Sequence, residues 1–255
     1  MTSTTARRIP WFAALVTLSL AVTAYMALVG APADAVQGDA QRLMYLHVPA
    51  AWLAYLAFTV TASASLLWLV PRTRSTAWDL LAGASAEVGV LFTGLTLAMG
   101  SIWGKPIWGS WWEWDARLTT TAVLFFLYLG YLALRRAGGG PDQRAKRSAI
   151  AALIAFVDVP IVHFSVNWFQ TLHQQGTVFN RKMNVEISGT MATTLVLSVV
   201  AFTLLYAYLV ARRMELLNLE EGFEERELAR AIAERIAQDS PAVDPAPSPE
   251  PMVGV

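Results

Sequence analysis

Long apolar runs separated by short polar stretches dominate the chain, and a charged segment follows the last run. A helix crosses a bilayer core of about 30 Å with roughly 20 apolar residues. Six runs meet that length. Ile9–Ala33, Leu43–Pro71, Leu118–Leu134 and Ile187–Ala211 hold no Asp, Glu, Lys or Arg, while Leu80–Gly104 holds only Glu87 and Ser148–His173 only Asp158. Spans four and five are joined by the basic stretch Arg135–Arg147, whose Gly138-Gly139-Gly140-Pro141 no helix traverses intact. The first run follows Arg7-Arg8 like a signal peptide, but it exceeds the roughly 7–15 apolar residues of a signal h-region. It is therefore read as an uncleaved membrane helix. Met214–Asp239 is charged and helix-favouring, and Ser240–Val255 carries five prolines, which predicts disorder. The expected layout is a membrane domain over residues 1–213 with a tryptophan-rich outward loop at 102–117, a charged cytoplasmic helix over 214–239, and a disordered tail over 240–255. The charged helix reads either as a solvated appendage or as a docking helix for a cytoplasmic partner.

Composition supports an all-α integral membrane protein. Hydrophobic residues make up 55% and charged residues 15%, against about 25% charge in soluble domains, and mean hydropathy is +0.44. Net charge is zero, so no bulk attraction to nucleic acid is expected. The absence of cysteine excludes disulfides, zinc-thiolate sites, iron–sulfur clusters and covalent haem attachment within this chain. No Walker A motif, no GxGxxG and no internal repeat is visible, so no recognisable machinery for ATP hydrolysis is present. Orientation follows from Lys and Arg in alternating loops. Arg7, Arg8, Arg72, Arg74, Arg135, Arg136, Arg144, Lys146, Arg147, Arg212 and Arg213 lie on one side, and Arg226, Arg230 and Arg235 follow in the tail. Only Arg42, Lys105, Arg117, Arg181 and Lys182 lie on the other. Both termini are thus expected in the cytoplasm, with the loops near 31–46, 102–117 and 166–187 facing outward.

Three features fall on the outward side. Trp103, Trp108, Trp111, Trp112 and Trp114 supply five of the ten tryptophans within twelve residues. An interfacial aromatic belt accounts for Trp11, Trp52, Trp68, Trp78 and Trp168 near span ends, but needs only one or two rings per end. If the chain is helical from Trp108 onward, then Trp108, Trp111, Trp112 and Asp115 share one face at i, i+3, i+4 and i+7, a shelf for a planar apolar ligand. All three histidines, His47, His163 and His173, also lie outward. A lone histidine is ordinarily a satisfied core or surface residue, whereas neutral imidazole is the common protein ligand of haem iron. Val48-Pro49 after His47 places a proline in the first turn of span two, which fixes the depth of that histidine. The outward cations Arg42, Lys105, Arg117, Arg181 and Lys182 read either as carboxylate binders or as residues that snorkel or neutralise Glu113, Asp115 and Glu186. The intramembrane acids Glu87 and Asp158 read first as helix–helix hydrogen-bonding groups, Asp158 beside a possible helix break at Pro160.

Tyr45-Leu46-His47-Val48-Pro49-Ala50-Ala51-Trp52 and Trp103-Gly-Lys-Pro-Ile-Trp108-Gly-Ser-Trp111-Trp112-Glu-Trp114-Asp115-Ala-Arg117-Leu-Thr closely resemble the CcmC family of cytochrome c maturation, the haem exporter protein C family. Pro160-Ile-Val-His163-Phe-Ser-Val-Asn-Trp168 and Thr171-Leu-His173-Gln extend the match, which covers roughly residues 35–212. The resemblance implies a six-helix, non-enzymatic member of the tryptophan-rich WWD superfamily in the bacterial inner membrane, holding haem b non-covalently and transiently at the outer face. It implies His47 and His173 as axial ligands of haem iron. It implies a platform of Trp103, Gly104, Trp108, Gly109, Trp111, Trp112, Trp114, Asp115 and Arg117. His163 matches a family position without an axial role. Delivery of haem to the periplasmic chaperone CcmE is implied, together with the small membrane protein CcmD and the CcmA–CcmB ABC transporter, which would supply the ATPase this chain lacks. The rival readings are a haem lyase-like cytochrome c synthetase, which would carry more spans and a large outward domain, and a six-helix transporter of another aromatic solute.

Overall fold

A computed structural model describes residues 9–173 and 189–239. Helix α1 (Ile9–Tyr25) ends in a π-helical turn at Met26–Gly30, and a 3₁₀ turn at Asp39–Leu43 leads directly into α2 (Met44–Leu69). Then follow α3 (Thr76–Trp108), α4 (Ala116–Arg136), α5 (Pro141–Phe156), α6 (Asp158–Trp168) and α7 (Gly189–Asp239). Among the described residues the only β feature is an isolated bridge between Asp34 and Gly38. Six helical segments are long and apolar enough to cross a membrane: Pro10–Gly30, Asp39–Leu69, Thr76–Trp108, Ala116–Arg136, Pro141–Trp168 and Gly189–Ile236. The chain is an all-α, multi-pass membrane protein.

The helix breaks at residues 137–140, as Gly138-Gly139-Gly140-Pro141 predicts, while the rest of the basic stretch 135–147 is helical. Pro141 opens α5 at its first position, where a missing N–H costs nothing. Two local expectations change. The fifth span is two helices. The chain breaks at Val157, whose N–H bonds back to Ile154 O at 3.2 Å, three residues ahead of Pro160. Asp158 starts α6 with its Oδ2 buried and without a hydrogen-bond partner. Pro49 lies inside α2 rather than in its first turn, because helix begins at Met44.

Without water in the bilayer, helices associate through close packing of small residues and through polar contacts. Ala50, Ala54 and Ala57 of α2 and Ala82, Ala84 and Ala86 of α3 are buried. A Cβ at Gly89 would sit 2.6 Å from the Phe58 ring, so glycine there sets the α2–α3 spacing. Phe58 stacks on Tyr128 of α4 at 3.7 Å, and this pair centres a core that takes in Ala152, Val159 and Val162. Ser85 and Tyr206 share a 2.7 Å hydrogen bond that ties α3 to α7. Two carboxylate–guanidinium pairs lie toward the opposite end of α3 from the tryptophans. Asp79 receives both Nη atoms of Arg135 at 2.6 and 2.7 Å, and Glu87 receives Arg213 of α7. Glu87 is therefore an interhelical group, paired with an arginine.

The chain divides into two compact units, Met1–Glu215 and Leu216–Val255. Within the second, the charged segment is helical through Asp239 and exposes Leu216, Phe223, Leu228 and Ile232. The proposed disorder of residues 240–255 and the outward cations Arg181 and Lys182 lie outside the described residues.

Candidate functional site

The site is built on the C-terminal half of α3, the start of α2 and the segment after α6. α3 carries Trp103 and Trp108 on its last turns and stops at Gly109, whose φ of 79° is the left-handed conformation that glycine reaches without strain. The Gly109 N–H bonds Lys105 O at 3.1 Å, and Lys105 Nζ returns to Gly109 O at 2.7 Å. The expected single helical face from Trp108 to Asp115 is therefore not formed. Residues 102–108 are helical, and the loop proper is 109–115. Asp115 ends it as the N-cap of α4, its Oδ1 accepting the Leu118 N–H at 2.8 Å.

The tryptophans consequently fall into two groups. Trp103 and Trp108 flank two histidines in a row of rings. Trp103 meets His47 at 5.7 Å, His47 faces His173 at 6.0 Å with 25° between planes, and His173 meets Trp108 at 5.9 Å. Trp111 and Trp114 are exposed, Trp114 resting edge-on against Trp112 at 5.5 Å. A cleft of about 580 Å³ lies between this loop and the segment leading to His173, lined by Glu113, Trp114, Asp115, Gln170, Thr171 and Leu172. His163 stands apart, its ring against Tyr55 and Phe164.

Among the described residues, Arg42 and Arg117 take partners other than Glu113 and Asp115. Arg42 donates to the Ala27 and Ala31 carbonyls and to Asp39, and Arg117 Nη2 donates to the His163 carbonyl at 2.8 Å. Among the described residues Trp112 Nε1, Asp115 Oδ2, Arg117 Nε and His47 Nδ1 are buried without a hydrogen-bond partner. Buried polar atoms are ordinarily satisfied, so Trp112 Nε1, Asp115 Oδ2 and Arg117 Nε are atoms that a ligand's own polar groups would complete.

Gly100 and Gln37 of the site escaped sequence reasoning, whereas Gly104 belongs to the platform that the family resemblance implied. A Cβ at Gly100 would lie 3.0 Å from His47 Cε1, and one at Gly104 would lie 2.9 Å from the Trp108 ring. Glycines four apart put both on one helix face, and that spacing beside the tryptophan cluster was the available signal. Gln37 accepts the Trp103 indole N–H at 3.1 Å from a distant loop, a contact without any local pattern.

Burial pushes the His173 imidazole down to about 3, and the neighbouring His47 and then Arg117 act in the same direction. The ring is thus neutral at physiological pH, the form that ligates metals. Its folded value lies below the unfolded one near 6.5, so the unfolded segment binds the extra proton between those values. The closed seat consequently loses stability as pH falls through that window. A pH titration of the His173 imidazole resonances in the ligand-free protein is expected to show no midpoint near 6.5. A midpoint there would mean that the ring is solvated.

The family model described as heme exporter protein C matches residues 1–229. Proteins named "Heme exporter protein C" from Bradyrhizobium diazoefficiens and Haemophilus influenzae are similar to this chain. The first is 41% identical over 216 residues, 84% of this chain and 81% of the relative. The second is 42% identical over 214 residues, 82% of this chain and 85% of the relative. A protein of the same name from Escherichia coli K12 is 41% identical over 214 residues, 83% of this chain and 84% of the relative. With the family model spanning most of its length and these relatives aligned across more than four fifths of theirs, the chain belongs to the heme exporter protein C family.

Proposed function

We propose that this protein is a haem-handling subunit of c-type cytochrome biogenesis that holds haem b between His47 and His173 at the outer face of the membrane and passes it to the chaperone CcmE. One observation carries the reading. Folding brings two imidazoles that are 126 positions apart in the sequence to a centroid separation of 6.0 Å. An imidazole nitrogen binds a first-row metal at about 2 Å, as in zinc sites, so a metal shared by two such rings spaces their centroids by about 6 Å. The name of the relatives, heme exporter protein C, supplies the cargo class.

Each neighbouring group then has a task. Trp103 and Trp108 present apolar area on either side of the histidine pair, each Å² of it contributing roughly 25 cal/mol when buried. The exposed rings of Trp111 and Trp114 extend an apolar surface where a porphyrin edge or an incoming chaperone would be covered. Arg117 sits at the head of α4 with one nitrogen unsatisfied, suited to a propionate. Without cysteine the chain forms no thioether to haem, in keeping with a cargo that must leave. The haem lies outside because the loops with few Lys and Arg lie outside. The protein acts as a carrier, not an enzyme. CcmD and the CcmA–CcmB transporter are its expected partners, since any ATP-dependent step requires machinery this sequence lacks.

His47→Ala and His173→Ala test the reading. Each is expected to lower haem retention in the purified protein at least tenfold and to stop haem appearing on co-expressed CcmE. Added imidazole is expected to restore part of the retention. Full retention in both variants would overturn it.

A further inference from the structure

We infer that Gln37 is a positioning residue for His47, acting through the Trp103 indole; this rests on the haem reading above. A histidine that ligates a metal is ordinarily oriented by a hydrogen bond from its second ring nitrogen. His47 lacks one, because its Nδ1 is buried without a partner, and the Thr96 carbonyl faces the ring without closing a hydrogen bond of good geometry. Packing must therefore hold the ring. Gly100 abuts one part of it, and the Trp103 indole meets it edge-on at 73°.

What holds Trp103 is the loop between α1 and α2. The indole N–H is a donor only, and Gln37 Oε1 accepts it at 3.1 Å. The loop is fixed before it reaches the indole. Asp34 and Gly38 exchange two backbone hydrogen bonds at 3.0 and 3.2 Å, and Gly38 takes a φ of 57° that closes the turn. The Asp34 carboxylate accepts the N–H groups of Gln37 and Val36, each at 2.8 Å, and these bonds hold its carboxyl below the ordinary range. Arg42 anchors the far side of the loop to the carbonyls at the end of α1. A side chain on so constrained a turn has little freedom left, so its bond transmits a fixed position to the indole and from there to the imidazole.

The test compares Gln37→Leu, Gln37→Asn and Gln37→Glu in the full-length protein with added haem. Leucine removes the acceptor, asparagine withdraws it by one methylene, and glutamate keeps it. The first two are expected to release haem at least threefold faster than wild type and to convert part of it from low-spin to high-spin, with helix content unchanged. Glutamate is expected to keep the wild-type rate and spectrum. Wild-type behaviour in both Gln37→Leu and Gln37→Asn would overturn the inference, as would equal damage in all three variants, which would mean that the turn, not the acceptor, matters. If the wild type itself binds no haem, the functional reading fails, and the positioning role is read from the His47 imidazole resonances of the haem-free protein. Those are expected to shift in Gln37→Leu and not in Gln37→Glu; unchanged resonances in both would sink the role as well.

Discussion

Replacing Arg135 by methionine is expected to destabilise the membrane unit by about 3–5 kcal/mol, the usual cost of stripping a buried ion of its partner. Asp79 and Arg135 are only 11% and 10% exposed, and the guanidinium meets the carboxylate with both Nη atoms. Removing the cation leaves a carboxylate on the first turn of α3 with nothing to replace its lost hydration. The α3 helix dipole favours a negative charge at that end, but by only about 0.3–1 kcal/mol at most exposed sites. The pair also has a prepared seat. A Cβ at Gly83 would lie 2.5 Å from Arg135 Nε, so only glycine lets the guanidinium lie across α3. Pairing Arg135→Met with Asp79→Leu removes the orphaned charge and is expected to recover most of the loss. Thermal unfolding in a fixed detergent, followed by circular dichroism, reads both effects. A single variant within about 1 kcal/mol of wild type would mean that water or lipid headgroups already solvate Asp79.

Gly100→Val is expected to abolish high-affinity haem binding while leaving the helices intact. The position faces His47 so closely that even an alanine methyl sits 3.0 Å from the imidazole. A branched side chain must displace the ring, and overpacking of this kind costs about 1–3 kcal/mol where neighbours cannot yield. The backbone gains a better helix former in exchange, so overall stability changes less than binding does. Gly100→Ala is expected to lower retention a few-fold and Gly100→Val at least tenfold, measured as haem bound per protein after gel filtration. Gly130→Ala on α4 is the control, since a Cβ there meets nothing within 4 Å and retention is expected to stay at wild-type level.

The spans were legible because a bilayer imposes length and composition together, and few alternatives satisfy both. The tryptophan cluster and the histidines were legible as residue types in a restricted region. Their arrangement was not. His173 follows a helix end at Trp168, and no periodicity places such a residue beside His47. The helical shelf failed on one residue, since Gly109 in the left-handed region terminates α3 in the middle of the motif. Asp79 was passed over because it precedes the apolar run beginning at Leu80, although its bidentate partner shows that it belongs to the bundle. Gln37 and Gly100 were invisible for a common reason: each acts through a contact between distant segments, and neither residue type announces a role alone.

If His47 and His173 ligate one iron, the haem held by the protein is six-coordinate and low-spin. Absorption spectra of the detergent-purified protein with added haem, oxidised and reduced, test it most directly. The expected result is a Soret band with sharp low-spin features in the wild type, lost or converted to high-spin character in both His47→Ala and His173→Ala. A folded wild type without a haem band, or two alanine variants with the wild-type spectrum, would contradict it.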